Sequence, residues 1–278
     1  MDNRPIGVFD SGLGGLSVVR HLLTLLPQED IVYFGDTGRV PYGSRSEETI
    51  RRYAREDSAF LLGRGVKCII AACGTVSSVA GDMLRTLPVP ASGVVEPTAE
   101  AAVRATRNGR IGVLGTYATV RSGSFARAMT ALEPSVRVTA VPCPMFVPLV
   151  ENGWIAPDDD VAIPMARRYL RPVREAGADT LILGCTHFPL LAPIIAAELG
   201  HEVALIDSGL ETARRCAEEL KRTDALTDRS EPGRCRFYVS DRPQDFTRVA
   251  AIFLGHSVQD EVEWISPDSL HLAEPGNL

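Results

Sequence analysis

The sequence predicts an α/β protein of two similar α/β domains, each with a central, mostly parallel sheet, that face each other across an interdomain cleft. Short apolar runs alternate with helical patterns along most of the chain, which is typical of βαβ units. Its 278 residues exceed the size of an average single domain, which favours two. The segments 67–75 and 179–186 also resemble each other, because each is an apolar run that ends in a cysteine with a threonine just behind it.

Eight strands are predicted first, because each apolar run is short and is bounded by turn residues. In chain order they are Ile6–Phe9, Ile31–Phe34, Cys68–Ala72, Ser92–Val95, Ile111–Gly115, Val136–Val141, Thr180–Leu183 and Val203–Ile206. Between them, apolar residues recur at helical spacing. The helices are Leu16–Leu26, Ser46–Gly63, Val76–Leu87, Thr98–Arg107, Thr119–Leu132, Asp158–Ala176, Leu191–Leu199 and Leu210–Arg222. A weaker pattern then predicts a strand at Phe237–Val239, a helix at Gln244–Leu254 and a fraying tail at Glu274–Leu278.

The predicted domains divide the chain at two places. Residues 1–97 and 208–278 form the first domain, which carries Asp10 and Cys73. Residues 98–207 form the second domain, which carries Cys185 and His187.

Composition limits the function. The chain has 29 basic and 35 acidic side chains, a net charge of -6, and no cluster of Lys and Arg interleaved with aromatic residues. Nucleic acid is therefore not expected as a primary ligand. No apolar stretch reaches the roughly 18 residues of a membrane helix, so we expect a cytoplasmic protein with no membrane partner.

The positions of two cysteines favour a binding cleft. Six of them, scattered along the chain, do not suit a disulfide framework, so we expect free thiols, and without a C-x-x-C motif we expect no metal site. Cys73 and Cys185 each stand at the carboxyl end of a predicted strand, where open parallel sheets bind ligands. Buried cysteines are often just small apolar residues. The matching positions of these two favour the cleft.

The first βα junction contains a glycine-rich loop with two interpretations. Gly12 and Gly14, with Ser17 in the third position, approximate a dinucleotide fingerprint, and Asp36 closes the next strand where a ribose-binding acid would stand. The third glycine is missing, however, and Asp10 at the mouth of the loop would repel a pyrophosphate and accept hydrogen bonds from an ammonium group. A glycine-rich turn also needs no ligand at all.

Other strand ends carry hydroxyls and backbone amides. Near helix N-termini such groups suit small anions, so one or two carboxylates can be held there. Each threonine alone is an ordinary helix cap, and it is their number around one rim that favours a binding site. These residues are Pro41, Tyr42, Gly43 and Ser44 after the second strand, Thr75 after the third, Thr116 and Thr119 after the fifth, and Thr186 after the seventh.

Each cysteine has a candidate partner. A histidine or a helix N-terminus beside a cysteine favours the thiolate, which is the form that accepts a proton. His187 stands near Cys185 in sequence, although a lone histidine is more commonly a packed residue. Cys73 has no such neighbour, and we expect Asp10 to serve it, because the first and third strands of such sheets are often close.

Several ordered motifs together resemble the glutamate racemase family. They are Asp10-Ser11-Gly12-Leu13-Gly14-Gly15, Tyr33-Phe34-Gly35-Asp36-Thr37 through Val40-Pro41-Tyr42-Gly43, Ala72-Cys73-Gly74-Thr75, Gly115-Thr116 with Thr119, and Gly184-Cys185-Thr186-His187. The resemblance spans about residues 6 to 255. It implies cofactor-independent interconversion of L- and D-glutamate for peptidoglycan synthesis, by two α/β domains that are commonly part of a homodimer. Some members of the family also contact DNA gyrase.

The resemblance also implies residue roles. Cys73 would act on D-glutamate and Cys185 on L-glutamate, with Asp10 and His187 as their auxiliary groups. Racemisation removes a hydrogen from one face of Cα and returns a proton to the other, and two opposed thiols can do this without moving. The implied substrate contacts are Asp10, Ser11, Pro41, Tyr42, Gly43, Gly74, Thr75, Thr116, Thr119 and Thr186.

The chain departs from the family at one position. Gly74 stands where the family usually has an asparagine whose side chain helps to hold the substrate. Thr75, Ser77 and Ser78 are candidates to compensate for its loss. Glu151 and Asp36 match acidic positions of the family, and we expect them to be structural or to act through neighbours.

Lysine content bears on the cofactor. Pyridoxal phosphate, the usual electron sink for amino-acid racemisation, needs a Schiff-base lysine. The lysines of this chain are Lys67, ahead of a strand, and Lys221, in a charged helix, and neither is at a strand's carboxyl end. We therefore expect no cofactor. The alternatives are a racemase for aspartate, a nucleotide-binding oxidoreductase and a non-enzymatic partner-binding protein that keeps the fold.

Overall fold

A computed structural model of the chain describes residues 1–200, 202–258 and 261–270. Its strands are β1 (Ile6–Asp10), β2 (Ile31–Gly35), β3 (Cys68–Ala71), β4 (Ala91–Gly93), β5 (Arg110–Gly115), β6 (Arg137–Pro142), β7 (Thr180–Leu183), β8 (Ala204–Asp207), β9 (Cys235–Val239) and β10 (Val262–Trp264). Its α-helices are α1 (Leu16–Leu25), α2 (Glu47–Gly63), α3 (Gly74–Leu84), α4 (Val95–Ala105), α5 (Tyr117–Ser122), α6 (Ser124–Leu132), α7 (Phe146–Glu151), α8 (Ala162–Glu175), α9 (Ala192–Leu199), α10 (Ser208–Arg222), α11 (Pro243–Leu254) and α12 (Pro267–Leu270).

The strands form two parallel sheets. The first has six strands in the order β10-β9-β2-β1-β3-β4, and the second has four in the order β6-β5-β7-β8. Every strand pairing within them is parallel. The predicted fold class is thus confirmed. The division of the chain into domains at residues 97 and 207 stays a prediction.

Each sheet has a point where the strand order reverses, and these points position the site. In the first sheet β1 lies between β2 and β3, and in the second β5 lies between β6 and β7. Ligands of open parallel sheets bind beyond the carboxyl ends of the strands at such points. Asp10 ends β1 and Cys73 follows β3, while Thr116 follows β5 and Cys185 follows β7.

Apolar packing joins the two sheets. All residues of β1, β2, β3 and β7 are buried, as expected for parallel strands covered by helices on both faces. One apolar cluster contains residues around the first sheet, such as Val8 and Leu22, together with residues around the second, such as Leu181 and Phe188. Helix α10 follows the last strand of the second sheet and packs on α1.

Some predicted elements differ from the structure. The predicted helix Thr119–Leu132 is two helices, α5 and α6, because Gly123 between them adopts a left-handed conformation with φ 63°. The helix predicted from Asp158 begins at Ala162, where the Asp159 carboxylate accepts the backbone N–H groups of Val161 and Ala162. Helix α7 and strand β10 were not predicted. The tail Glu274–Leu278 lies outside the described residues.

Two further expectations concern cysteines and membranes. All six cysteines are free thiols, as predicted. Among the described helices, none combines the length and apolarity that crossing a bilayer requires.

Candidate active site

A cavity of about 400 Å³ lies where the carboxyl ends of the two sheets meet. Both domains of the predicted pair contribute to its walls. It is lined by Asp10, Ser11, Gly12, Leu13, Val40, Pro41, Tyr42, Gly43, Ser44, Cys73, Gly74, Thr75, Thr116, Tyr117, Pro144, Val147, Pro148, Glu151, Cys185, Thr186 and His187.

The cavity brings the predicted site residues together, with one exception. Thr119 does not line it. Its side chain is 2% exposed and its hydroxyl accepts a hydrogen bond from the Thr116 hydroxyl at 3.1 Å, so Thr119 lies behind Thr116. A direct contact between Thr119 and a substrate stays a prediction.

Cys73 occupies the start of a helix directly behind a strand. It is the N-cap residue of α3, and its sulfur hydrogen-bonds the Ser11 hydroxyl at 3.5 Å. Burial and the nearby Asp10 carboxylate raise the pKa of Cys73 to about 12, although the Ser11 hydroxyl and the Val76 backbone N–H offset part of the rise. Cys73 is therefore a protonated thiol at neutral pH.

Asp10 is held by the glycine-rich loop that follows it. Its carboxylate, in a residue only 2% exposed, accepts the backbone N–H groups of Gly12 at 3.2 Å and Gly15 at 3.1 Å. Burial raises the pKa of this carboxyl, and the His187 ring and the Gly15 N–H offset part of that rise. The loop amides thus bind the chain's own Asp10, which takes the place that a phosphate has in a dinucleotide site.

Two further contacts remove support for the dinucleotide interpretation. A Cβ on Gly14 would lie 2.4 Å from His187 Nδ1 and 2.6 Å from Thr186 Oγ1, so the second domain fills the space beside this glycine. Asp36 is fully buried, and it accepts hydrogen bonds from Ser240 at 2.7 Å and from Tyr42. It has no access to a ribose in the cavity.

Cys185 lies beside His187. The sulfur lies 3.8 Å from His187 Nδ1, and the other ring nitrogen, Nε2, lies 3.0 Å from Glu151 Oε1. Burial lowers the pKa of His187, but the hydrogen bonds to Cys185 and Glu151 outweigh it and raise the pKa to about 10. At neutral pH the ring is therefore a cation between a sulfur and a carboxylate. The ring of Phe253 packs edge-on against it at 5.4 Å between centroids.

Hydroxyls from both sides meet at the cavity. The Oγ1 atoms of Thr75, behind β3, and Thr116, behind β5, lie 3.1 Å apart and share a hydrogen bond. Thr116 also caps α5, because its hydroxyl accepts the backbone N–H of Thr119 at 3.2 Å. A rim of hydroxyls at helix starts suits a carboxylate.

Tyr42 contributes its ring to the cavity wall, and its hydroxyl is used elsewhere. That hydroxyl donates to Asp36 and lies 3.1 Å from Asp57, in a buried network completed by Arg39. Burial and the charges of Asp57 and Asp36 raise the pKa of Tyr42 well above its usual value. The network fixes the segment 37–44, which carries Pro41 and Gly43 to the cavity.

The two serines expected to compensate for Gly74 lie elsewhere. Ser77 donates to the Ala71 carbonyl at 3.0 Å and accepts the Val94 N–H at 3.0 Å, so it joins β3 to α4. Ser78 bonds Ser124 at 2.9 Å. Neither lines the cavity.

One wall of the cavity, formed by α7 and the residues before it, was not predicted from the sequence. Pro144, Val147 and Pro148, in and before α7, form an apolar side, and Glu151 at the end of the same helix reaches His187. The signal for this helix is the spacing of its buried residues Phe146, Leu149 and Val150, at i, i+3 and i+4.

The fold and the site define a class of two-domain α/β enzymes in which a cysteine from each parallel sheet lines one cleft. Residues 6–216 match the family model described as Asp/Glu/hydantoin racemase. The glutamate racemase of Geobacter metallireducens is 49% identical over 92% of this chain and 95% of its own length. The crystal structure of glutamate racemase isoform RacE1 from Bacillus anthracis has a TM-score of 0.91 at 34% identity, over 96% of this chain and 99% of that chain. The glutamate racemase of Francisella tularensis, solved with D-glutamate, has a TM-score of 0.89 at 36% identity, over 97% of this chain and 100% of that chain.

The chain therefore belongs to the Asp/Glu/hydantoin racemase family. Within that family it groups with the glutamate racemases, which are isomerases.

Proposed function

We propose that this protein interconverts L- and D-glutamate without a cofactor, with Cys73 and Cys185 as the two bases, and that it supplies D-glutamate for peptidoglycan synthesis. The observation that supports this most directly is that both thiols, each beside its own auxiliary group, line the same cavity. The names of the relatives point to the same substrate, and the Francisella tularensis enzyme was solved with D-glutamate bound.

The two cysteines are not equivalent before substrate binds. Cys73 holds its proton because its pKa is about 12, so it is ready to act as an acid. The His187 cation lies 3.8 Å from the Cys185 sulfur, where it stabilises negative charge. Cys185 then takes the Cα proton of L-glutamate, and Cys73 gives its proton to the opposite face. The reverse reaction exchanges these roles.

The negative charge that develops on the substrate during the reaction must be stabilised by hydrogen-bond donors. As the Cα–H bond breaks, its electron pair spreads into the α-carboxylate. Thr75, Thr116 and Thr186 line the cavity, and their hydroxyls are the donors we assign to that carboxylate. Preorganised donors of this kind contribute about 3 kcal/mol each to transition-state stabilisation. The Asp10 carboxylate is placed to accept from the substrate ammonium group.

The positions of the lysines support a reaction without pyridoxal phosphate. Lys67 Nζ bonds Glu29 at 2.6 Å and the carbonyls of Asp2 and Ala225, at the end of β3 opposite the cavity. Lys221 is on α10, and neither lysine lines the cavity. The site thus offers no amine for a Schiff base.

Single-cysteine variants test the proposal. Circular dichroism should show purified protein racemising L-glutamate, and faster than L-aspartate, with no added cofactor. Cys73→Ser and Cys185→Ser should each abolish racemisation in both directions while the fold persists, because a serine hydroxyl is a far weaker acid than a thiol and is not ionised at neutral pH. Cys235→Ser, on β9 and outside the cavity, is the matched control and should keep full activity. Near-normal turnover by either cavity variant would show that the two-base assignment is wrong.

A further inference from the structure

The two cysteine-bearing segments, which follow β3 and β7, touch through a backbone contact. Gly74 follows Cys73 and begins α3, and Gly184 precedes Cys185 beyond β7; both glycines are buried. A Cβ built on Gly74 would lie 2.4 Å from the carbonyl oxygen of Gly184 and 3.7 Å from Cys185 Cα. The missing side chain of Gly74 is therefore what allows these two segments to meet.

The Gly184 carbonyl has little freedom to move away. Gly184 is tied to the second sheet, since its N–H donates to the Leu114 carbonyl of β5 at 2.8 Å. A Cβ on Gly184 would itself lie 2.7 Å from that Leu114 oxygen, so the segment is packed against β5 on the other side. Real Cβ atoms essentially never come closer than 3.0 Å to a neighbour. A side chain at position 74 must then displace one of these two segments from the other by roughly 1 Å.

We propose that Gly74 is a positioning residue that sets the gap between the two thiols. Its contact with Gly184 lies directly beside both cysteines in sequence, so any widening there moves Cys73 away from Cys185. The hydrogen bond between Thr75 and Thr116 crosses the same junction at 3.1 Å and would be stretched with it. The inference rests on the proposed function, because the gap matters only if both thiols must reach one Cα.

The same contact shows what an asparagine, the residue that the family usually has at position 74, would do in this chain. The asparagine expected there from the resemblance carries the same Cβ, and that Cβ meets the Gly184 carbonyl. In this chain Gly74→Asn therefore pushes the segments of Gly74 and Gly184 apart, and it does not restore a substrate contact.

Gly74→Ala tests the inference, with Gly81→Ala as the matched control. Gly81 is on the same helix, and a Cβ there has open space. We expect Gly74→Ala to lower kcat by about 10²-fold, because misplacing a reacting group by about 1 Å has an effect of that order. KM should change less than kcat, since Asp10, the proposed partner of the ammonium group, lies on the first sheet together with Gly74 and its position does not depend on the junction. Gly74→Asn should behave like Gly74→Ala, and Gly81→Ala like the wild type.

A second readout separates positioning from a general loss of structure. In deuterium oxide, a thiolate that still reaches Cα removes its proton, and the resulting S–H exchanges with solvent to S–D. The deuteron then returns to the same face of Cα when the opposite thiol is out of reach. Two amounts are compared: the recovered L-glutamate that carries deuterium at Cα, and the D-glutamate formed. The ratio of the first to the second should therefore rise in Gly74→Ala. A wild-type ratio, or a kcat within about threefold of the wild type, would overturn the inference.

The same assays distinguish a failure of this inference from a failure of the proposed function. If the wild type and Gly81→Ala racemise glutamate and Gly74→Ala equals them, the inference fails and the proposed function stands; if the wild type does not racemise glutamate, the proposed function itself fails. Should Gly74→Ala not fold, a crystal structure of the wild type with D-glutamate tests the same contact. Van der Waals contact between Gly74 and the Gly184 oxygen is expected, and a gap wide enough for a Cβ would overturn the inference.

Discussion

At the scale of single residues, the site separates two chemically identical thiols by their surroundings. Cys73 stands beside a buried carboxylate, Asp10, and Cys185 stands beside a histidine whose pKa is raised by its hydrogen bonds to Cys185 and Glu151. The first environment retains a proton and the second stabilises negative charge. In the proposed mechanism, one residue type thus serves as acid and as base in the same cavity.

Glu151→Gln tests the role of the His187 charge. Hydrogen bonds to Cys185 and Glu151 raise the pKa of His187 to about 10. The substitution removes the charge of the Glu151 carboxylate, so the pKa of His187 falls and the ring loses its proton at a lower pH. The alkaline limb of kcat/KM for L-glutamate should therefore move to lower pH. A pH profile of kcat/KM measures this, since it reports the ionisations of the free enzyme.

A surface carboxylate provides the control for this substitution. Glu175 on α8 has a side chain that is 70% exposed, and Glu175→Gln should leave the profile unchanged. An alkaline limb of Glu151→Gln that coincides with the wild type would contradict the assigned role of Glu151.

At the scale of elements, loops at the strand ends carry the chemistry and buried networks hold those loops in place. The amides after β1 fix Asp10, and the network of Asp36, Tyr42 and Asp57 fixes the segment 37–44. Short helices also matter, because α7 is six residues long and still supplies both an apolar wall and Glu151.

The junction of α5 and α6 permits an element-scale prediction. Gly123 has a φ of 63°, and an L-residue in the left-handed conformation costs roughly 1–2 kcal/mol. Gly123→Ala should lower the free energy of unfolding by about that amount. Gly81→Ala, which has open space within α3, should raise it by about 0.4–1 kcal/mol through the unfolded state. Chemical denaturation measures both, and equal effects of the two substitutions would contradict the explanation of the break.

The predictability of the elements follows from their physics. Strands such as β1 and β7 were placed within a residue because they are fully buried apolar runs bounded by turns. Helix α7 was not, because it is short and contains Pro148. The partnership of Cys185 with His187 follows from their spacing, and that of Cys73 with Asp10 from the neighbouring positions of β1 and β3. The contact between Glu151 and His187 depends on how α7 packs, which no local pattern encodes.

At the scale of the whole molecule, the two sheets approach closely through glycines beside the cavity, and the proposed mechanism depends on that approach. Gly14 receives the ring of His187, and Gly74 receives the carbonyl of Gly184, so glycines of the first sheet's loops admit the segment 184–187 of the second. A shared apolar cluster stabilises this arrangement. The fold class was predictable from sequence, and all but one of the residues predicted for the site line the cavity, whereas this fit between two surfaces emerges only in three dimensions.

The central claim is that two thiols act on opposite faces of one Cα. It is tested most directly by proton NMR of wild-type protein turning over L-glutamate in deuterium oxide, stopped at low conversion. The account predicts that the D-glutamate formed carries deuterium at Cα, while the recovered L-glutamate keeps its protium. D-Glutamate that retains the original hydrogen would mean that a single group carries the proton between faces, and this would contradict the account.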